Sequence, residues 1–295
     1  MCGIAGIFLK DGTLEPQLGG LLAGMLAPLC DRGPDSAGFA VYGEAMPGHC
    51  KLTLRAPHGF DFFARMLRAM DGAIASCRLH DTHAVISVPR DREAAVLAEI
   101  EKVPEVDIVG GGQRMAIFKE VGRPDKVASR FGLERMAGTH AVAHTRMATE
   151  SAVTTNGAHP FTTGPDQCLV HNGSLSNHNA VRRELIRHGL AFATDNDSEV
   201  AAGFLTWKMR EGASLEQAMA ASLGALDGFY TFVIGTESGF GVLRDPIACK
   251  PAVLAETDRW VAFGTEYRAL VDLPGIDLAK VWEPEPARPY LWERH

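Results

Sequence analysis

Six cysteines in 295 residues include no Cys-x-x-Cys pair. Scattered as Cys2, Cys30, Cys50, Cys77, Cys168 and Cys249, they suit neither a disulfide framework nor a zinc or iron–sulfur site, and a reducing compartment is expected. Long apolar runs are missing too. The segment Leu18 to Pro28 is broken by Gly and Pro well short of the roughly 20 residues a bilayer requires. No charged-then-apolar signal opens the chain, so a soluble cytoplasmic protein is expected, with no membrane contact. Clustered Lys and Arg are absent, and the formal net charge is -7, which argues against nucleic acid or an anionic membrane as partner. There is no repeat, low-complexity tract or linker. What is present is 46% hydrophobic residues, enough for a substantial core in one elaborated domain spanning 1–295.

The chain alternates short β-rich and helical pieces. Gly3 to Leu9 reads as a buried strand and Leu14 to Leu29 as a helix. Between about residues 44 and 137 the signals mix, with strands such as Ala84 to Val88 and Met115 to Phe118 and a helix from Arg92 to Lys102; this reads as an inserted α+β lobe. His140 to Arg146 and Gln167 to His171 look like strands ending in polar residues, and Asn179 to His188 and Ser198 to Glu211 look helical. Four short strands follow between Tyr230 and Phe263, as in a large antiparallel sheet. Helices outside layered sheets would bury them.

Chemistry begins at Cys2. Removal of Met1 from Met1-Cys2-Gly3 leaves one residue with both a thiol and a free α-amine. That amine titrates at about 7.7–8.0, so its neutral form can take the thiol proton near physiological pH and release a nucleophilic thiolate. Gly3 lets a substrate approach closely. On position alone, a buried structural cysteine is the competing reading. Arg146, at a strand end, has the planar fork to hold a substrate carboxylate, although a surface arginine is the plainer reading of that residue alone. The Asn172 side chain and Gly173 N–H could together stabilise an oxyanion; an Asn-Gly hairpin turn is the alternative. Asp195, Asp197 and Glu199 sit at a helix start, where they compensate the dipole. Asp197 is the choice among them to meet an α-ammonium. The loop Arg32-Gly33-Pro34-Asp35-Ser36 is either a plain turn or packing over the nucleophile. His80 and His83 have no companion acids at metal spacing, so no metal is expected.

Taken together, Cys2-Gly3-Ile4-Ala5-Gly6, Arg32 to Ser36, His144-Thr145-Arg146-Met147-Ala148-Thr149, His159-Pro160-Phe161, His171-Asn172-Gly173-Ser174 and Asp197-Ser198-Glu199 resemble class II glutamine amidotransferase domains. Arg244-Asp245-Pro246 and Phe263-Gly264-Thr265-Glu266 extend the resemblance over nearly the whole chain. It implies an N-terminal-nucleophile hydrolase fold, a four-layer α-β-β-α sandwich. Cys2 would be the nucleophile, Asn172 and Gly173 the oxyanion hole, Arg146 the carboxylate clamp and Asp197 the ammonium partner. Arg32, Gly33, Asp35, Ser36 and His171 would support them. The phrase Met147 to Ser151, the segment Asp245 to Pro251 and the ending Trp282 to Pro286 look most like free-standing amidotransferase subunits of glutamate-synthase-like systems, N-methylglutamate synthase among them. That implies no cofactor in this chain, with FMN and an iron–sulfur cluster on a partner synthase barrel beside a glycine-rich β-helical subunit. Glutamine or γ-glutamylmethylamide would be the amide. A stand-alone amidase and a catalytically idle scaffold are the competing readings, and the inserted lobe is the expected docking surface.

Overall fold

The strands Gly3–Leu9, Ser36–Tyr42 and His140–Arg146 are buried at every residue. Because a strand turns successive side chains to opposite faces, each of these must be covered on both sides. The computed structural model describes residues 2–57, 63, 66, 68, 70, 72–148 and 152–294. Along these the order is β1 (Gly3–Leu9), α1 (Leu18–Leu26), β2 (Ser36–Tyr42), β3 (His49–Arg55), β4 (Ser76–His80), β5 (His83–Pro89), α2 (Glu93–Ile100), β6 (Asp107–Gly112), β7 (Met115–Val121), α3 (Pro124–Phe131) and β8 (His140–Arg146). Then come β9 (Phe161–Gly164), β10 (Gln167–Leu175), α4 (His178–Arg187), α5 (Asp197–Arg210), α6 (Leu215–Ala225), β11 (Gly228–Gly235), β12 (Gly239–Arg244), β13 (Val253–Glu256), β14 (Trp260–Gly264), β15 (Lys280–Trp282) and β16 (Tyr290–Glu293).

These strands form a seven-stranded sheet, β15-β13-β14-β1-β8-β2-β7, and a five-stranded sheet, β16-β12-β11-β10-β9. Side-chain alternation explains the layers. Ile4 and Phe8 of β1 join Val142, Val170, Val233 and Phe240 in a core between the two sheets. Ala5, Ile7 and Leu9 point the other way, into a core with Leu18, Leu22 and Phe131 from α1 and α3. On the far side of the five-stranded sheet, Leu169, Phe232 and Leu243 meet Leu185, Phe204 and Met219 from α4, α5 and α6. Helix, sheet, sheet, helix is the resulting order, as the four-layer expectation requires.

Two expectations change in detail. The helix read over Leu14 to Leu29 is three pieces: 3-10 turns at Gly12–Gln17 and Ala27–Leu29 flank α1, and each contains a proline, Pro16 and Pro28. Proline lacks the N–H that would carry an α-helix through. The inserted lobe is also shorter than the expected 44–137. Its own four-stranded sheet, β4-β5-β3-β6, ends at Gly112, and β7 belongs to the main sheet, pairing with β2. Met115 and Ile117 of β7 are drawn there by the core between the sheets. Tyr42 pairs with Met115, and the Gly43 N–H donates to Arg114 O at 3.1 Å. The lobe therefore hangs from the tip of one hairpin, with a separate core that includes Leu52, Leu54, Ile86, Val88 and Ile100.

Candidate active site

β1 is the middle strand of the seven-stranded sheet, with β8 on one side and β14 on the other. The registers Gly3↔Thr145 and Ser36↔Arg146 bring the start of β1, the end of β8 and the start of β2 to one end of that sheet. Side-chain hydroxyls fix the first residues of β1: the Gly3 N–H donates to Thr145 Oγ1 at 3.1 Å and the Ile4 N–H to Thr265 Oγ1 at 2.8 Å. Cys2 follows directly. It is partly buried, and its Sγ lies 3.5 Å from Met147 N and 3.7 Å from Met147 O.

Two cationic or amide groups converge on the Cys2 carbonyl. Arg32 Nε donates to it at 3.3 Å, and Asn172 Nδ2 also donates at 3.3 Å. The loop at Arg32 thus lies against Cys2, and the Arg32 guanidinium is held by an ion pair with Glu266. Gly33 is required by space: a Cβ there would lie 2.4 Å from Thr145 C. Asp35 locks the turn after β8, its Oδ2 accepting from Ala148 N at 2.8 Å while its own N–H donates to Arg146 O at 3.1 Å. Ser36 is fully buried at the head of β2.

Asn172 and Gly173 lie inside β10, which continues to Leu175, so the Asn-Gly pair makes no hairpin turn. Alternation places Asn172 with Val170 on the inter-sheet face, towards Cys2, and His171 on the helix side. Gly173 faces Tyr230, whose backbone bonds go to Asp245: Tyr230 N–H to Oδ1 at 3.0 Å, and Asp245 N–H to Tyr230 O at 3.0 Å. The Gly173–Tyr230 pair is therefore a non-hydrogen-bonded pair, and the Gly173 N–H points off the other edge of β10. β9 pairs that edge only as far as Leu169. The Gly173 N–H thus lies beyond the last residue that β9 pairs, next to Asn172. Gly173 has φ +157°, and a Cβ on it would sit 2.0 Å from Phe229 O.

Arg146 is 6% exposed and its Nη1 donates to Ala152 O at 3.3 Å. Thr149, Glu150 and Ser151, part of the motifs quoted above, lie outside the described residues, as does Met1. Asp197 is the first residue of α5. Its Oδ2 accepts from Leu175 N at 2.9 Å, which fastens the end of β10 to the helix, and its Oδ1 is 3.8 Å from His171 Nδ1. One-fifth of the Asp197 side chain remains exposed, leaving lone pairs for a ligand.

On the 58% identity found over 296 residues, the chain is closely similar to the glutamine amidotransferase-like protein GlxB of Rhizobium meliloti (strain 1021), across 99% of this chain and 98% of that one. The chain belongs to the class II glutamine amidotransferase family. The sequence pattern of the glutamine amidotransferase domain matches residues 144–272. The amidotransferase is also 31% identical over 129 residues to the glutamine–fructose-6-phosphate aminotransferase of Vibrio cholerae, a match covering 44% of this chain and 21% of that enzyme. In fold it is similar to the glutamine phosphoribosylpyrophosphate amidotransferase of B. subtilis, with a TM-score of 0.63 at 20% identity over 99% of this chain. The amidotransferase spans about half, 47%, of that enzyme's length. The shared architecture is that of the N-terminal-nucleophile hydrolases.

Sequence reasoning missed the hub of the amidotransferase's second rank of residues. Ser198 Oγ is 2.9 Å from His159 Nε2, 2.9 Å from His171 Nδ1 and 3.3 Å from Asp197 Oδ1. His144 Nε2 reaches His171 O at 3.0 Å and stacks on the His159 ring at 4.0 Å. Burial holds His144 at about 3 and pushes His159 well below its ordinary range; His171 is lowered by burial too, with the Asp197 carboxylate pulling the other way. Neutral rings follow at pH 7. If the Ser198 hydroxyl donates to Asp197, both imidazoles must donate to its oxygen, which fixes the proton of His171 on Nδ1. The Asp-Ser-Glu motif was the available signal, but only the fold shows that its serine bridges two distant histidines. Glu266 and Thr265 were likewise quoted for resemblance and turn out to brace Arg32 and β1.

Proposed function

We propose that this chain is the glutaminase subunit of a glutamate-synthase-like complex of the N-methylglutamate synthase type, acting on glutamine or γ-glutamylmethylamide. The observation that supports the reading is the double hold on the Cys2 carbonyl by Arg32 and Asn172, which fastens the residue that would carry both α-amine and thiol against β10.

With Met1 removed, the α-amine takes the thiol proton and the thiolate attacks the side-chain amide carbon. Asn172 Nδ2 and Gly173 N–H receive the developing oxyanion, a contribution of about 3–4 kcal/mol per donor. As the C–N bond breaks, the same amine returns the proton to the leaving nitrogen, so ammonia or methylamine departs and a γ-glutamyl thioester remains. Water cleaves the thioester to glutamate and restores the thiol. Arg146 holds the substrate carboxylate and Asp197 its ammonium. The released amine passes to a separate FMN-dependent, iron–sulfur synthase subunit, accompanied by the glycine-rich β-helical subunit. Sequestration matters there because ammonium in water is protonated and not nucleophilic.

Intact-mass measurement before and after 6-diazo-5-oxo-norleucine treatment tests the nucleophile: loss of methionine and one adduct on Cys2 are expected, and an unlabelled protein retaining Met1 would refute it. Methylamine release from γ-glutamylmethylamide tests the amide. If glutamine alone is hydrolysed, the methylated substrate is ruled out. Purification of the native complex tests the partner, whose flavin absorbance should co-elute with this chain.

A further inference from the structure

Where the lobe meets the catalytic sandwich, a cavity of about 650 Å³ opens between β3, β4 and β5 on one side and β2, β7 and α3 on the other. That volume lies in the range of small-molecule sites. Its walls carry four permanent cations, Lys51, Arg78, Arg114 and Arg135, and one carboxylate, Glu44. This is an inversion of sign in a chain whose formal net charge is -7.

The cations are not there to satisfy one another's counter-charges. Among the described residues, Arg78, Arg114 and Arg135 have no carboxylate within ion-pair distance, and the Lys51 ammonium donates to the main-chain oxygens of Glu44 and Arg114. They also share one neighbourhood. Burial lowers the Lys51 pKa and the charges of Arg78 and Arg114 lower it further, against the pull of the Asp166 and Glu44 carboxylates, while burial lowers that of His80 and Arg78 and Arg135 add to the effect. Like charges held together without partners cost free energy, and a polyanion would remove that cost. The floor is of another kind: His80 and Met136, both partly exposed, lie over the buried rings of Phe118 and Phe131, with His80 edge-on to Phe118 at 4.9 Å. Planar heterocycles pack on such a surface, and guanidinium planes add stacking of their own.

We propose that this seam is a binding site for a nucleotide, with its phosphates on the arginines of the rim and its base against His80 and Met136. The site is separate from the glutaminase centre and stands whether or not the amide donor is as proposed above. A bound ligand would bridge the lobe to β2, the strand that pairs with Arg146 at its other end.

Isothermal titration of the full chain with ADP, adenosine and ribose 5-phosphate tests it. ADP should bind saturably at one site per chain, at least tenfold more tightly than ribose 5-phosphate, with no saturation by adenosine at the same concentrations. The exposed pair Arg78→Glu/Arg135→Glu should weaken ADP at least tenfold while Cys2 still labels with 6-diazo-5-oxo-norleucine; Arg135→Gln is the milder companion should the double reversal lose labelling. The proposal is overturned by absent ADP binding, by ADP binding that the substitutions leave unchanged, or by adenosine or ribose 5-phosphate matching ADP. Saturable binding of a hexaglutamate peptide in place of ADP would also overturn it, assigning the seam to an acidic protein segment.

Discussion

Cys2 and Asn172 divide the work at the residue scale, and substitution should separate them. Cys2→Ala should abolish amide hydrolysis without loss of fold, because among the described residues the thiol bonds only weakly, to Met147 N and O at 3.5–3.7 Å. Asn172→Ala should lower kcat by about 10²–10³-fold with the nucleophile intact, the usual effect of removing one oxyanion donor; steady-state glutaminase kinetics on both variants decide it, and an unimpaired Asn172→Ala enzyme would remove this residue from the site. Acid stability is also a residue-scale property. His83, His140 and His144 are each lowered to about 3 by burial, whereas the same side chains titrate at about 6.5 when unfolded. Above that value both states are neutral and nothing is gained or lost. Below it the unfolded chain binds protons that the folded chain refuses, so stability should fall as pH drops from about 6.5 towards 3, by on the order of 1.4 kcal/mol per pH unit for each histidine. Urea midpoints measured at pH 7, 6 and 5 should show the decline, and His140→Asn should make it shallower.

Elements show where local sequence suffices and where it does not. β1 and β8 could be read to the residue because strands covered on both faces are apolar or neutral, up to the single charge of Arg146 at the end of β8, whereas β10 was read too short. Its polar run His171-Asn172-Gly173 looked like a strand end, yet the antiparallel partner β11, more than fifty residues further along the chain, carries it on to Leu175. Only long-range pairing could reveal this. The Asn-Gly dipeptide alone read equally as a hairpin turn, and only the surrounding motif singled out Asn172; Ser198 was not singled out, since an N-terminal serine in a helix is ordinarily read as local capping. Glycines of α1 make the same point with opposite signs. A Cβ at Gly19 would fall 1.9 Å from Leu133 O, but at Gly24 it meets nothing within 4 Å. Thermal unfolding should therefore show Gly19→Ala destabilised by about 1–3 kcal/mol or more through overpacking, and Gly24→Ala stabilised by roughly 0.5–1 kcal/mol through helix propensity. Equal effects at the two sites would contradict the packing of α1 on the Leu133–Met136 turn.

On the scale of the whole molecule, the catalytic layers and the lobe have separate cores, and composition shifts alone placed the lobe's end too late because β7 is as β-rich as the lobe strands. Replacing residues 44–113 by Asn-Gly should close β2 and β7 into a two-residue hairpin, since Gly43 and Arg114 already face each other across the ladder. The shortened protein is expected to unfold cooperatively and to keep its Cys2 adduct; an aggregated or unlabelled product would show that the lobe supports the sandwich. The same attachment has a consequence for divergence. A chain that leaves and re-enters a sheet between two paired residues adds length without shifting any strand's register, so this one junction can accept, lose or exchange whole modules while the distance from Cys2 to Asn172 stays the same.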